Sequence, residues 1–190
     1  NDNHDCDVII SDDGLQHYNM NRDVEIVVID GKRRFGNNLS FPAGPLRESL
    51  KRLDSVDFIV NNSGPTEDGE HLMNVSPAKF IHLKSGKSYS VEDWPMHKQV
   101  HAVAGLGNPG RFFDLLARLG FDITRNPFPD HHNFISEDVH YLDHLPIIMT
   151  EKDASKCKDF DNNKIWYLTI EAEVSSKFME KLDSKLKNLS

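Results

Sequence analysis

Short, nearly unbroken apolar runs recur along the chain, and they alternate with stretches of helical pattern. The strongest run is Glu25 to Asp30, and similar runs occur at Asp7 to Ser11, Asp57 to Val60 and residues 99–104. Strands that are apolar on both faces are typical of parallel sheets covered by helices. The alternation of such strands with helices therefore predicts an α/β fold.

The chain is predicted to divide into two α/β parts joined by β-strands. Residues 61–68 are polar, as linkers are, and the weak alternation over residues 72–91 predicts an antiparallel β segment. We predict a first part over residues 1–65, a β linker region over 66–98 and a smaller α/β domain over 99–190. Helices are predicted at 47–53, 109–119, 136–143, 151–158 and 175–187, and further strands at 121–125, 147–150 and 165–170.

Charge and composition exclude several classes of protein. Lys and Arg number 22 and Asp and Glu number 30, which gives a formal net charge of −8. Broad nucleic-acid binding requires a basic surface, so we expect no nucleic-acid partner. No apolar stretch reaches the roughly 18 residues of a membrane span. The two cysteines, Cys6 and Cys157, form no disulfide framework.

The sequence Ser11 to His17, SDDGLQH, places two acids directly after an apolar run. Ligands of open parallel sheets bind beyond the carboxyl ends of the strands. Asp12 and Asp13 could hold Mg²⁺ there, as the strand-end Asp of a phosphoryl-transfer enzyme does. Gln16 and His17 would face the same rim. A polar turn around the Asp-Gly pair is the alternative.

A loop limited by two prolines, FPAGPLRE, ends in Arg47 and Glu48 just before a predicted helix. Such a loop could present a charged recognition pair to a ligand. The alternative is a surface ion pair, which contributes at most about 1 kcal/mol.

Three further motifs lie in the second half of the chain. Gly105 to Gly110 matches G-x-G-x-x-G between a predicted strand and helix, which allows a Rossmann-like nucleotide-binding module, although the expected acid about 20 residues on is not clearly present. Asp130 and His131 form a plausible proton-handling pair in the loop FPDHHNF. In TEKDA, Thr150 and Asp153 fit a helix cap, and Lys152 could reach a phosphate.

Taken in order, these strings resemble the tetraacyldisaccharide 4′-kinases, the lipid A 4′-kinases of Gram-negative bacteria. The resemblance runs from about Asp7 to Glu173 through SDDGLQH, VVIDGKRRFGNN, FPAGPLRES, AGLGNPGRFF, FPDHHNF and TEKDA. It implies a P-loop-type α/β kinase with a smaller C-terminal α/β domain. It also implies transfer of the γ-phosphate of ATP, with Mg²⁺, to the 4′-hydroxyl of a lipid A disaccharide precursor.

The resemblance assigns roles to the quoted residues. Asp12 and Asp13 would position Mg²⁺, and Gln16 and His17 would lie near the substrate. Arg47 and Glu48 would lie near the phosphates and the sugar. Asp130 and His131 match the Asp-His pair of the smaller domain, where His131 would assist the catalytic base in a closed state. Leu15 and Ser49 depart from the family's usual Phe and Pro.

No G-x-x-x-x-G-K-[ST] phosphate-binding loop occurs in the 190 residues. In the family this loop, the general base and a membrane-contacting helix lie upstream of the matching region. We therefore expect this chain to be the C-terminal part of a longer kinase that acts peripherally at the cytoplasmic face of the inner membrane. Alone it should be inactive, and it should be less stable because strand edges are exposed. A metal hydrolase that uses Asp12, Asp13, Asp130 and His131 is the remaining alternative.

Overall fold

A computed structural model describes residues 7–189 of the chain. The chain divides into two compact units. The first contains the described residues up to Val75 together with those from Ala172 onward, and the second runs from Ser76 to Glu171. These limits differ from the domain boundaries suggested by the sequence, which remain a prediction.

The first unit is built on three parallel strands. They are β1 (Ile26–Asp30), β2 (Phe58–Asn62) and the first part of β3 (Glu70–His82). A 3₁₀ helix (Leu50–Ser55) precedes β2, and an α-helix (Ser176–Lys187) closes the chain. Its Phe178 packs edge-on against Phe58 with ring centroids 5.3 Å apart. This contact joins the last helix to the core of the unit.

The second unit is a mixed sheet covered by helices. Its strand order is β3, β8 (Ile165–Val174), β7 (Ile147–Thr150), β5 (Gln99–Ala104) and β6 (Asp122–Pro127), and β4 (Ser88–Ser90) pairs antiparallel with β3. The helices are α1 (Gly110–Arg118) and α2 (Glu151–Ala154), with 3₁₀ turns at Ser136–Val139 and Ser155–Cys157. The helix Ser176–Lys187, which belongs to the first unit, is labelled α3. Strands β5, β6, β7 and β8 are mutually parallel, so their carboxyl ends share one edge.

Most predicted elements of the second unit are confirmed. Strands 99–104 and 147–150 have the predicted bounds, and Pro109 precedes the first residue of α1. Gly120 follows α1 with φ +82°, a conformation that costs little only for glycine. The helix predicted at 136–143 is wrong beyond one 3₁₀ turn, and that predicted at 151–158 is α-helical only to Ala154. In these stretches Asp138 accepts from the backbone N–H of Ile135 and the hydroxyl of Ser155 donates to the carbonyl of Lys152, and such local bonds compete with a regular α-helix.

The predicted strand at Asp7 to Ser11 is wrong. Within the described residues this run forms no strand, and Val8, Ile9 and Ile10 are 58, 87 and 90 % exposed. An apolar run becomes a strand only when neighbouring backbone takes its hydrogen bonds and a packed layer covers its side chains. Here none of the described strands pairs with it. No helix of the described residues has the length and apolar character that a membrane span requires.

Candidate functional site

The acidic motif lies in a loop that leads into β1. Asp12, Asp13, Gln16 and Arg47 all line one open cleft of about 630 Å³, together with the side chains of β1. Asp13 has φ +51°, which is uncommon for a residue with a side chain and costs energy unless the surroundings impose it. The structure therefore brings Arg47, from the FPAGPLRE motif, to the same cleft as three residues of the SDDGLQH motif. His17 is exposed and is not part of the cleft lining.

Arg22 fixes the loop that carries the acidic pair. Its Nη1 donates hydrogen bonds to the carbonyl oxygens of Gly14 at 2.6 Å and Leu15 at 3.1 Å. Its Nε lies 3.0 Å from the carboxylate of Glu25, and Arg52 donates to both oxygens of the same carboxylate at 2.7 and 2.8 Å. Charge-assisted bonds of this kind are stronger than neutral ones, so the turn after Asp13 is held firmly.

Glu48 is held by polar neighbours. Tyr18 donates to its Oε2 at 2.5 Å and Gln16 to its Oε1 at 2.7 Å. These two hydrogen bonds, together with the nearby Arg52 and Arg22, hold the pKa of Glu48 below its usual range although partial burial opposes the shift. Glu48 is therefore ionised at neutral pH. Its contacts tie the FPAGPLRE loop to the acidic motif.

Arg47 points into solvent beside the acidic pair. Its Nη1 lies 3.6 Å from the Oδ1 of Asp13, and the two side chains are 71 and 81 % exposed. An exposed pair at this distance adds little stability. Both charges therefore remain able to contact a ligand in the cleft.

The carboxylates of Asp12 and Asp13 fit a magnesium ion whose other ligands would be water and nucleotide oxygens. Within the part of the chain that the structure describes, no group of three or more His, Cys, Asp or Glu side chains could enclose a metal. Mg²⁺, however, is usually held by one or two carboxylates together with waters and phosphate oxygens. Asp12 and Asp13 could hold such an ion when a nucleotide supplies the remaining oxygens.

In the second unit, three loops meet at the carboxyl ends of β5, β6 and β7. The buried carboxylate of Asp153 joins two of them, because its Oδ2 accepts hydrogen bonds from the backbone of Gly105 at 2.9 Å and from Thr150 at 2.8 Å. Lys156 donates to the carbonyl oxygen of His132 at 2.9 Å and lies 3.4 Å from Asp153. The predicted Thr150 cap is confirmed, since its hydroxyl accepts from the backbone of Asp153.

Asp130 and His131 lie on the loop after β6. The Oδ1 of Asp130 accepts from the backbone N–H of His131 at 2.9 Å, and Lys152 lies 3.7 Å away. His131 has φ +59° and its side chain is 78 % exposed, with Nε2 3.8 Å from Asp130. Like Asp13, it is an exposed polar residue that the fold holds in an unfavourable backbone conformation. Such residues cluster at functional sites.

These contacts argue against a dinucleotide in the Gly105–Gly110 loop. The backbone N–H of Gly105 is donated to Asp153, and a Cβ at Gly107 would lie 3.3 Å from the carboxylate of Asp130. In a dinucleotide site the space beside these glycines receives the pyrophosphate. Here protein carboxylates occupy that space, and they would repel it.

Sequence analysis missed several residues that shape these sites. Arg22, Glu25 and Arg52 brace the acidic loop. Nothing in the sequence distinguishes these ion pairs from surface charges. Asp153 was predicted as part of the Thr150 helix cap, but its hydrogen bond to the backbone of Gly105, which joins two loops, was not predicted.

The fold and these residues define a mixed α/β protein with polar clusters at strand ends and loops, as nucleotide-using enzymes have. The family described as Tetraacyldisaccharide-1-P 4′-kinase matches residues 1–187. The chain belongs to this family.

Curated relatives and a solved structure agree with this assignment. Tetraacyldisaccharide 4′-kinase from Ruthia magnifica is 49 % identical over 180 residues, covering 95 % of this chain and 56 % of the relative. The enzyme of that name from Hahella chejuensis is 44 % identical over 189 residues, covering 99 % of this chain and 56 % of the relative. The crystal structure of "apo" form LpxK from Aquifex aeolicus in complex with ATP superposes with a TM-score of 0.71 at 22 % identity, over 92 % of this chain and 56 % of that one. The chain thus spans somewhat more than half the length of these relatives.

Proposed function

We propose that this chain supplies part of the active site for ATP-dependent phosphorylation of the 4′-hydroxyl of a tetraacyldisaccharide 1-phosphate. The observation that carries the proposal is the cleft in which Asp12, Asp13, Gln16 and Arg47 meet, in a chain that belongs to a family of 4′-kinases. Phosphoryl transfer depends mainly on positioning and on neutralising charge. A cleft that offers two carboxylates and one free guanidinium provides groups for both tasks.

Each residue has a distinct task in this proposal. Asp12 and Asp13 hold Mg²⁺, which screens the phosphate charges when it is bound. Arg47 contacts a phosphate oxygen, because its guanidinium is exposed beside Asp13. The hydrogen bond from Gln16 to Glu48 holds the loop that carries Arg47 in place beside the acidic loop. His17, which is exposed, contacts the sugar.

Asp130 and His131 are proposed as a second catalytic pair. The hydrogen bond from the backbone N–H of His131 to Asp130 and the positive φ of His131 define the backbone from which the exposed imidazole projects, with its Nε2 3.8 Å from Asp130. An imidazole next to a carboxylate can take up a proton. We propose that it assists removal of the proton from the attacking hydroxyl.

The remaining parts of the kinase are proposed to come from the length of the family that this chain does not span. The 190 residues contain no G-x-x-x-x-G-K-[ST], and phosphoryl transfer from ATP by a P-loop fold needs that cradle. We also propose action at the cytoplasmic face of the inner membrane, where ATP and an acylated substrate are both accessible. Membrane contact through an N-terminal segment belongs to this proposal.

The test is a fusion of this chain with the part of the Ruthia magnifica relative that it does not span. Transfer of ³²P from ATP to the tetraacyldisaccharide 1-phosphate is measured in detergent over a range of Mg²⁺ concentrations. We expect D13N to raise the Mg²⁺ concentration needed for half-maximal rate, and R47A to raise KM for ATP or for the lipid. The intact relative is the positive control. A folded fusion without transfer would contradict the proposal.

A further inference from the structure

The segment from Gly31 to Arg47 differs in charge from the rest of the molecule. It contains four cations, Lys32, Arg33, Arg34 and Arg47, and no carboxylate, in a chain whose formal net charge is −8. The guanidinium of Arg34 forms ion pairs with the carboxylates of Glu67 and Glu70, each at an N–O distance of 2.8 Å. The side chains of Lys32 and Arg33 are exposed and form no ion pair with the residues that the structure describes, while their backbone N–H groups donate to Asp30 Oδ1 at 3.0 Å. The segment is therefore a local basic surface.

The tip of the same segment exposes apolar side chains. Phe41 is 82 % exposed and Leu39 is 51 % exposed, and Pro42 and Ala43, which follow Phe41, are exposed as well. Single exposed apolar residues are ordinary, whereas adjacent exposed apolar residues rimmed by polar or charged groups are typical of interaction sites.

Internal hydrogen bonds hold this tip in shape. Phe41 donates its backbone N–H to the carbonyl of Leu46 at 2.8 Å, and Leu46 donates to that of Leu39 at 3.2 Å. The side chain of Asn37 donates to the carbonyl of Ala43 at 2.9 Å. A Cβ at Gly44 would lie 2.2 Å from both Asn37 and Leu39, so only glycine fits there. The exposed side chains therefore stand on a braced loop, and docking them requires little additional ordering.

We infer that the 31–47 segment docks on the surface of a bilayer containing anionic phospholipid. Apolar side chains that enter the acyl boundary, next to Lys and Arg that meet lipid phosphates, form the two-part signal by which proteins bind such surfaces. The inference rests on the proposed function in one respect, since an enzyme acting on an acylated substrate has reason to meet a bilayer. Arg47, the last residue of the segment, lies beside Asp13, so docking brings the acidic cleft close to the lipid surface.

Vesicle sedimentation of the full 190-residue chain tests the inference. We expect binding to phosphatidylglycerol vesicles, weaker binding to phosphatidylcholine vesicles, and release by high salt because exposed charges are screened. The double variant L39S/F41S should lower the partition constant at least about tenfold. K32Q/R33Q should lower it for phosphatidylglycerol and remove most of the salt dependence. L142S is the matched control, because Leu142 is 95 % exposed in the other unit; it should bind as the wild type does.

A second measurement locates the contact. In an F41W variant, lipids brominated on their acyl chains should quench the added fluorescence, whereas an L142W variant should show no such quenching. Trp94 and Trp166 are each 7 % exposed, so the wild-type signal provides the background. Equal binding by L39S/F41S and wild type would overturn the inference. Absence of binding by a chain whose circular dichroism shows it folded, or a dimer that buries Phe41 without vesicle binding, would also overturn it.

The assays separate this inference from the proposed kinase activity. Vesicle binding requires no phosphoryl transfer, and the kinase assay in detergent requires no bilayer. Vesicle binding with an inactive fusion would leave the docking surface standing and remove the function. An active fusion without vesicle binding would support the proposed kinase function and overturn the docking surface.

Discussion

We expect the buried thiol of Cys157 to be unreactive in the folded protein. It is fully buried, and burial first, with Asp153 second, raises the pKa of its thiol to about 11. Because the thiolate is the reactive form, we predict no reaction with a thiol reagent at pH 8 in folded C6S protein. One equivalent should react in denaturant. Rapid modification of the folded protein would show that the site opens.

Asp153 is the residue whose loss should cost the second unit most. Truncation to alanine leaves the N–H of Gly105 and the hydroxyl of Thr150 without their acceptor. Buried donors left unpaired cost about 1–3 kcal/mol. We predict that D153A lowers the free energy of unfolding by this amount in urea titrations. D153N, which can keep one oxygen in place, should cost clearly less, and equal losses would argue that charge matters more than the acceptor.

At the scale of elements, the packing of α3 on β2 and β3 should make the first unit sensitive to acid. His71 is buried against Phe58 and Phe178, and burial, then Lys181 and Lys177, lowers its pKa. A lowered folded-state pKa means that the unfolded chain binds the proton more readily. Stability should therefore fall as the pH drops below about 6.5, the unfolded value.

The variant H71F isolates this effect because it keeps an aromatic ring and removes the titrating group. Urea titrations at pH 7.5 and pH 5.5 should show a smaller loss of stability for H71F than for the wild type. The same loss in both proteins would place the acid sensitivity elsewhere.

The loop of the acidic motif should depend on Arg22. Without its guanidinium, the carbonyl of Leu15 loses its side-chain donor and that of Gly14 keeps only the backbone N–H of His17. We predict that R22A speeds amide exchange across residues 14–20 about tenfold or more, because local opening becomes easier. R22K, which can donate to one carbonyl, should fall between R22A and wild type. Unchanged exchange would mean that the Glu48 contacts and the backbone turn bonds of the loop hold it without Arg22.

The sequence predicts elements well where one signal dominates. Strands β5 and β7 follow from their unbroken apolar runs, and the start of α1 follows from Pro109. The run at Val8 to Ile10 has the same composition but forms no strand, because pairing depends on neighbours that composition does not encode. The acidic loop was predicted from its sequence, but the hydrogen bonds from Arg22 to Gly14 and from Arg52 to Glu25 that brace it were not, because no local sequence pattern specifies such pairs. The meeting of Gly105, Asp130 and Asp153 likewise requires the strand order.

At the scale of the whole molecule, the chain alone should not transfer phosphate. It has carboxylates and a guanidinium at the cleft but no phosphate-cradling loop in its 190 residues. Without that positioning the rate enhancement of phosphoryl transfer is lost. ATP, Mg²⁺ and lipid substrate incubated with the chain should give product at the level of a blank. Product above the level of the blank would contradict the claim that phosphoryl transfer needs a phosphate-binding loop from outside these 190 residues.

The most direct test of the central claim is the initial rate of 4′-phosphorylation by the fusion with the Ruthia magnifica segment, with product position determined by mass spectrometry. The account predicts phosphate at the 4′-hydroxyl, and at least about a hundredfold loss of kcat in D13N with the fold intact. Asn tolerates the positive φ of Asp13, so D13N removes charge without adding strain. A D13N fusion that retains wild-type kcat would contradict the account.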